Sequence, residues 1–264
     1  MTRLLRSART LLFVPGDRPD RFAKAVATGA DAVVVDLEDA VAPESKERAR
    51  AAAAEWLSAG NADTLVRINA HGTPWFADDL AMVIEANAAV MLPKAQDAEV
   101  LAALGAAGVV PLVETAAGIQ RAREVCTAPG VVRVAFGSVD LAAELGVAHD
   151  DHLALTYARS ALVVASAAAG LPGPIDGVTT ALHDTDALLA DLRHARRLGF
   201  TGKLCVHPSQ VTPLHDSLKP TPSELDWAKR VLAAAADGAA AQVDGQLVDK
   251  PVVERARGLI EREG

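Results

Sequence analysis

Residues 111–118, PLVETAAG, decide how the rest of the chain is read. An aliphatic run stops on a carboxylate, Glu114, and then opens through Thr115 and Gly118 into a segment with helical character. Residues 131–140, VVRVAFGSVD, repeat the design: a β-branched run, a Gly-Ser break, then Asp140 ahead of a new helical pattern. Strand, break, acid and helix in that order describe a βα unit. In a barrel of parallel strands the carboxyl ends gather on one face, where the loops build a site. Two acids ending two successive strands are therefore expected side by side.

Outward from this stretch the same unit recurs. Residues 10–15 (TLLFVP) read as a buried strand stopped by Pro-Gly, with helical spacing over 18–28. Residues 31–39 (DAVVVDLED) form a second strand ending in acids, followed by an Ala-rich helix over 45–59 that Gly60 closes. Residues 64–69 (TLVRIN) are strand three, with Arg67 near its end, and residues 89–94 (AVMLPK) strand four, with helices over 77–86 and 97–104. Strand five is 108–114 with its helix over 117–126. Strand six is 131–136, with a turn and a helical stretch around Leu141, and a long helix covers 152–169. Strand seven, 174–178 (PIDGV), precedes a helix over 184–198, and strand eight is 203–207 (KLCVH).

Eight strands alternating with helices predict an α/β chain folded as a TIM (β/α)8 barrel. The length of 264 residues suits one such barrel, which typically takes about 250. The rival is an open doubly wound sheet, which usually carries a glycine-rich phosphate loop of a kind this sequence lacks. The barrel core is expected over 1–220 and a C-terminal helical or lid extension of the same domain over 221–264. In that tail a strong helix pattern covers 223–236, a polar glycine-containing stretch 237–251, and a short amphipathic segment 252–261. Such tails cover the active face of a barrel or reach a neighbouring subunit, which would carry Asp249 to the chemistry; packing filler is an equally economical role.

Half the residues are hydrophobic, rich in Ala and Val, and aromatics make up 3%, so a sizeable core is packed from small aliphatic side chains. A net charge of -8 argues against nucleic acid or an anionic membrane as partner. Cys126 and Cys205 stand far apart, forming neither a disulfide framework nor a metal-ligand spacing, which points to a reducing, cytoplasmic setting. The apolar run of residues 11–14 is too short for a signal-peptide core, and no run approaches a membrane span.

Two strand-end carboxylates without a His or Cys cluster suit a hard cation such as Mg2+, whose octahedral shell is completed by waters and substrate oxygens. The competing role is that Glu114 and Asp140 cap the helices that follow them. Arg67 offers a planar two-point grip for an oxoacid carboxylate, or equally an internal counter-ion for Asp36, Glu38 or Asp39. Asp36, Glu38 and Asp39 are also placed to orient a metal shell from outside. Lys94 would suit a Schiff-base aldolase if its amine were neutral, but the neighbouring acids favour a charged partner for them or a ligand contact. The run His149, Asp150, Asp151, His152 has metal-like spacing yet lies in a polar turn, and His207 either helps bind ligand or holds its loop.

Taken in order, LLFVPGDRPDRF, VVVDLEDAV, VRIN, MLPKA, LVETAAGI, FGSVDLAAELG, PIDGV, GFTGKLCVHPSQ and GQLVDKP span almost the whole chain. Together they resemble the citrate lyase beta subunit and its relatives, the malyl-CoA, citramalyl-CoA and related β-hydroxyacyl-CoA lyases of the HpcH/HpaI aldolase superfamily. The resemblance implies a Mg2+-dependent barrel, with Mn2+ as an alternative cation, and typically a trimer. Glu114 and Asp140 would hold the metal and Arg67 the oxoacid. Asp249 would act as acid/base at the acetyl carbon, from its own or a neighbouring subunit, and Arg18 would serve the coenzyme A end. The expected activity is carbon-carbon cleavage of a citryl-, malyl-, citramalyl- or hydroxymethylglutaryl-type thioester, free or carrier-bound. A metal-dependent aldolase acting on free hydroxy-oxoacids and a non-catalytic subunit of a citrate lyase-like complex are the alternatives.

Overall fold

The computed structural model describes residues 2–61, 63–236 and 242–260. These fall into two compact units, residues 1–214 and 215–264. The first is a closed barrel of eight parallel strands in sequence order, with β8 returning to pair with β1. The strands are β1 (Thr10–Pro15), β2 (Ala32–Asp36), β3 (Leu65–Arg67), β4 (Ala89–Leu92), β5 (Val109–Val113), β6 (Ala135–Phe136), β7 (Ile175–Asp176) and β8 (Gly202–Cys205).

The helices of this unit are α1 (Thr2–Ser7), α2 (Phe22–Val26), α3 (Lys46–Ser58), α4 (Phe76–Glu85), α5 (Ala98–Ala103), α6 (Ala116–Gln120), α7 (Ala122–Thr127), α8 (Ser138–Leu145), α9 (Thr156–Ala168) and α10 (Thr185–Leu198). Helix α11 (Val211–Leu218) carries the chain into the second unit.

Most strands are shorter than their apolar runs suggest, because the closed ring pairs only part of each run: β6 keeps the last two residues of 131–136 and β4 the first four of 89–94. In β2 all five residues are buried, as expected of a strand covered by helices on one face and by the barrel interior on the other. Alternate residues point inward: Leu11, Val34, Leu65, Met91, Leu112, Ile175 and Leu204 fill the interior as one apolar cluster. The expected helix over 117–126 is two helices divided at Arg121, and the long helix begins at Thr156 rather than at residue 152. Asp184 caps α10 by accepting from the Ala187 N–H, and Gly199 ends it with φ +109°, a conformation costly for any residue with a Cβ.

The amino-terminal end of the barrel is closed by Arg133, which is 1% exposed. Its guanidinium donates to the carbonyls of Gly173 (2.9 Å), Leu5 (3.1 Å) and Ala8, and to the Thr201 hydroxyl (2.9 Å). Burial lowers its pKa to about 10, and hydrogen bonding to every edge of the group offsets its desolvation.

The second unit contains α12 (Pro222–Ala236), a hairpin of β9 (Gln242–Val243) and β10 (Gln246–Leu247), and α13 (Lys250–Ile260). Ala228, Val231, Ala256 and Leu259 form its core. Asp244 and Gly245, at φ +52° and +76°, make the two-residue turn, whose paired positive φ values match the twist of a hairpin. Residues 237–241 of the expected polar stretch, and Glu261 at the end of the expected amphipathic segment, lie outside the described residues.

Candidate active site

A cleft of about 390 Å3 opens at the carboxyl ends of the strands, and Asp36, Asp39, Arg67, Glu114, Gly137 and Asp140 are among its lining residues. Asp36 and Arg67 are the last residues of β2 and β3, so the strands themselves aim them. Arg67 was expected two residues before the loop; it is instead the terminal strand residue. Glu114 follows β5 directly, whereas Asp140, expected at a strand end, lies in the first turn of α8, four residues beyond Phe136. The Gly137-Ser138 break starts the helix earlier than the pattern suggested. An acid in a first helical turn is favoured there by the helix dipole.

Arg67 makes a forked contact with Asp36, Nε to Oδ1 at 2.7 Å and Nη2 to Oδ2 at 2.6 Å. Its Nη1 lies 3.2 Å from Glu38 Oε2 and 3.5 Å from Asp39 Oδ2, and its guanidinium carbon stacks 4.8 Å from the Phe13 ring centroid. The counter-ion role is therefore realised through all three guanidinium nitrogens, Nε and Nη2 on Asp36 and Nη1 on Glu38 and Asp39, while the residue also lines the cleft. Burial works to lower the Arg67 pKa, but Asp36, Glu38 and Asp39 outweigh it and raise it. Asp36 also accepts from the N–H groups of Glu38 (2.9 Å) and Ala40 (3.1 Å), which fixes the loop after β2.

Glu114 is 4% exposed. Its Oε1 accepts from the Lys94 backbone N–H at 2.9 Å. Its other oxygen lies over Gly137, where an added Cβ would come within 2.4 Å of both Glu114 Oε2 and Cβ. Burial first, then Glu38 and Asp140, push its pKa up to about 8 against the pull of the Lys94 N–H and Arg67. Burial also raises the pKa of Glu38 more than Arg67 and Lys94 lower it, and its Oε2 has no aligned hydrogen bond. Glu38 is offset by Arg67 and Lys94 at 3.2 Å each, whereas among the described residues Glu114 has only the Lys94 amide on its carboxylate, and its hard oxygens match a small divalent cation. Among the described residues no group of three or more His, Cys, Asp or Glu is arranged to hold a metal. Glu114 and Asp140 would thus form a two-acid site, with the remaining positions open to water and substrate, as Mg2+ commonly uses.

The Lys94 ammonium donates to Glu38 Oε1 at 3.2 Å. Burial tends to lower its pKa, but Glu38, Asp39 and Glu114 more than compensate and raise it, so the amine is charged and unsuited to Schiff-base attack. Lys94 was expected to end strand four; it lies two residues beyond Leu92, in the turn. Arg18 lines a different cavity of about 530 Å3, with Arg21, Lys24 and His207, which shares Phe13, Pro15 and Val206 with the cleft. There Arg18 pairs with Asp20 at 3.0 and 3.2 Å.

His207, expected to end strand eight, lies beyond Cys205 and holds its loop by accepting from the Ser209 N–H at the start of a 3-10 turn. His149 bonds Thr180 and His152 bonds Asp191, both at 2.8 Å, so the pair does not converge. Asp249 belongs to the second unit, where it precedes α13 and accepts from the Val252 N–H at 3.1 Å.

Two groups were missed from the sequence. Gly137 was read as a break rather than as the space Glu114 occupies. Lys46, 6% exposed, donates to the carbonyls of Leu37 (2.7 Å) and Glu38 (2.6 Å), clamping the acid-bearing loop from behind. A lysine at the start of a helix pattern carries no signal of such a contact.

A profile of the HpcH/HpaI aldolase/citrate lyase family matches residues 9–208. A citrate lyase subunit beta-like protein of Mycobacterium tuberculosis is 39% identical over 261 residues, covering 96% of this chain and 94% of that protein. A (3S)-malyl-CoA thioesterase of Cereibacter sphaeroides is 35% identical over 268 residues, covering 94% and 92%. The crystal structure of CitE from Mycobacterium tuberculosis in complex with magnesium, acetoacetate and coenzyme A matches with a TM-score of 0.87 at 37% identity, over 98% of this chain and 99% of that one. The barrel, its acid-lined cleft and these similarities place the chain in the HpcH/HpaI aldolase/citrate lyase family.

Proposed function

We propose that this protein is a Mg2+-dependent carbon-carbon lyase that splits a short β-hydroxyacyl thioester into an acyl thioester and a small oxoacid. The observation that carries this reading is Glu114: a buried carboxylate with its pKa raised to about 8, in one cleft with Asp140 and Arg67. The CitE complexes with magnesium and acetoacetate, and with magnesium, acetoacetate and coenzyme A, support it. Glu114 and Asp140 would hold the cation, which when bound supplies Lewis-acid polarisation of the β-hydroxyl and of the oxoacid oxygens. Mn2+ satisfies the same donors.

The chain's own groups do the rest. Arg67 would bind the oxoacid carboxylate and neutralise charge as the bond breaks, the ligand sharing its Nη1 with Glu38 and Asp39 while Asp36 keeps the guanidinium plane fixed. Asp39 lines the cleft; Glu38 stands behind it between Arg67 and the Lys94 ammonium, at 3.2 Å from each, and Lys94 would add a positive charge for a substrate carboxylate. Asp249, from its own or a neighbouring subunit, would deliver the proton to the departing acyl carbon. Arg18, with Arg21 and Lys24 in the adjoining cavity, suits the phosphates of coenzyme A.

A homo-oligomer is supported by α9: its sole charged residue, Arg159, is buried, while Tyr157 and Val164 and the preceding Leu153 are 66%, 68% and 85% exposed; the preference for a trimer rests on the family resemblance alone. We place the protein in the cytoplasm; no helix among the described residues is long and apolar enough to cross a membrane, and both cysteines are buried and unbridged.

A second reading, hydrolysis of the same thioester, is favoured by the relatives named (3S)-malyl-CoA thioesterase. One assay separates the two. Malyl-, citramalyl-, citryl- and hydroxymethylglutaryl-CoA, and the corresponding free hydroxy acids, are incubated with Mg2+ and with EDTA, and the products are identified. Release of an oxoacid and an acyl-CoA from a thioester, abolished by EDTA, is expected. Release of free coenzyme A with the intact hydroxy acid would indicate hydrolysis. Cleavage of the free acids would indicate an aldolase, and inertness toward every substrate would favour a non-catalytic subunit.

A further inference from the structure

Lys94 has a backbone conformation that its side chain does not explain. Its φ is +51°, in the left-handed region that glycine, asparagine and aspartate enter far more readily than lysine. Such strain persists only where the surroundings impose it, and it gathers at functional sites. Two bonds hold the turn here. The Ala95 N–H donates to the Leu112 carbonyl at 3.1 Å, and the Lys94 N–H donates to Glu114 Oε1 at 2.9 Å. Both acceptors belong to β5 or its immediate end, so the turn after β4 is laced along that strand and its left-handed residue delivers an amide to the carboxylate.

The two oxygens of Glu114 are thereby made unequal. One is engaged by the Lys94 amide; the other, Oε2, lies over Gly137, which immediately precedes the helix α8 that carries Asp140. The ammonium is occupied elsewhere, 3.2 Å from Glu38 Oε1. We propose that Lys94 is a positioning residue whose left-handed backbone, rather than its ammonium, presents Glu114 as a one-oxygen ligand through Oε2. This rests on the metal-binding role proposed for Glu114. A carboxylate bound through one oxygen suits Mg2+, whose octahedral shell tolerates little distortion, better than one chelating through both.

Two substitutions separate backbone from side chain, because both remove the ammonium. Lys94→Gly keeps the positive φ at no steric cost, whereas Lys94→Val introduces a β-branched residue that drives φ negative and takes the N–H away from Glu114. Mg2+ is titrated into each protein by isothermal calorimetry, at a temperature where circular dichroism shows it folded. Lys94→Gly should bind at least as tightly as wild type, since a neighbouring cation has gone. Lys94→Val should bind about tenfold more weakly or worse, the loss typical of removing a group that orients a metal ligand.

Equal affinities for the Gly and Val variants, or an equal fall in both, would overturn the proposal while leaving the metal site standing. Should Lys94→Val fail to fold, Lys94→Ala takes its place: an affinity below that of Lys94→Gly supports the proposal, and one equal to it overturns it. No Mg2+ binding by the wild-type protein would overturn the metal role and the positioning role together.

Discussion

Arg67 shows how one side chain serves two masters. Its forked contact with Asp36, at 2.6 and 2.7 Å, is structural, and the residue also lines the cleft. Arg67→Lys keeps the charge and loses the plane. We expect a stability loss of about 2 kcal/mol, the scale of one charge-assisted hydrogen bond. The expected fall in kcat/KM is at least about a hundredfold, the scale of losing a preorganised charge-stabilising donor. Thermal melts beside steady-state kinetics check this; a large fall in Tm with nearly normal turnover would leave Arg67 as scaffolding.

Gly137 is the second residue-scale test, because a methyl there would come within 2.4 Å of Glu114 Oε2. Gly137→Ala should weaken Mg2+ binding by about tenfold or more and destabilise the fold by about 1–3 kcal/mol through overpacking. Calorimetric titration and melting measure the two effects, and unaltered metal affinity would show that Glu114 is not held in place from this side. At this scale Glu114 and Arg67 were legible as strand-end groups because apolar runs stop on them, whereas Asp140 was read at a strand end and lies in the first turn of α8. The left-handed Lys94 was not, since a lysine in that conformation has no sequence signature.

The helix α10 carries a pH-sensitive contact. His194 stacks on His152 with ring centroids 4.1 Å apart, and its Nε2 is buried without a hydrogen-bond partner. Burial, then the charges of His152, Arg159 and Arg197, lower its pKa despite Asp176. A histidine whose folded pKa lies below its unfolded value binds fewer protons when folded, so stability rises with pH through that window and is lost as pH falls below about 6.5. Asp191 works in the same direction at lower pH. Its burial raises its pKa, but Thr179, Lys203 and His152 bring it below the usual carboxylate value, so its contribution disappears as pH falls through that lowered pKa.

Melts between pH 7.5 and 5 should show Tm falling, with a shallower slope in His194→Phe, which keeps the stack but does not titrate. Identical slopes would assign the loss to other groups. Element type and order were legible from the alternation of apolar runs and helical spacing. Element ends were less so: Arg121 divides α6 from α7 in a run whose one glycine, Gly118, sits inside α6 rather than at the break.

Over the whole molecule, the eightfold recurrence made the barrel readable before any side chain was placed, because each βα unit needs its neighbours to bury both faces of its strand. The division at residues 214 and 215 was less accessible, since it falls inside the helix α11. The second unit shows its independence in its own cluster around Val231 and Leu259, which only the folded chain assembles. Acid-lined ends of strands pointed to chemistry, yet which thioester is cut depends on the cavity's outline, and outline has no linear code.

The guanidinium that plugs the amino-terminal end of the ring draws two of its four acceptors, Leu5 and Ala8, from the segment ahead of β1. Those opening residues look dispensable, being helical and mostly wet on one side. Shortening the protein to begin at the first strand would strand a cation in oil with half its bonds cut, so the segment ahead of β1 is the keystone of the staves.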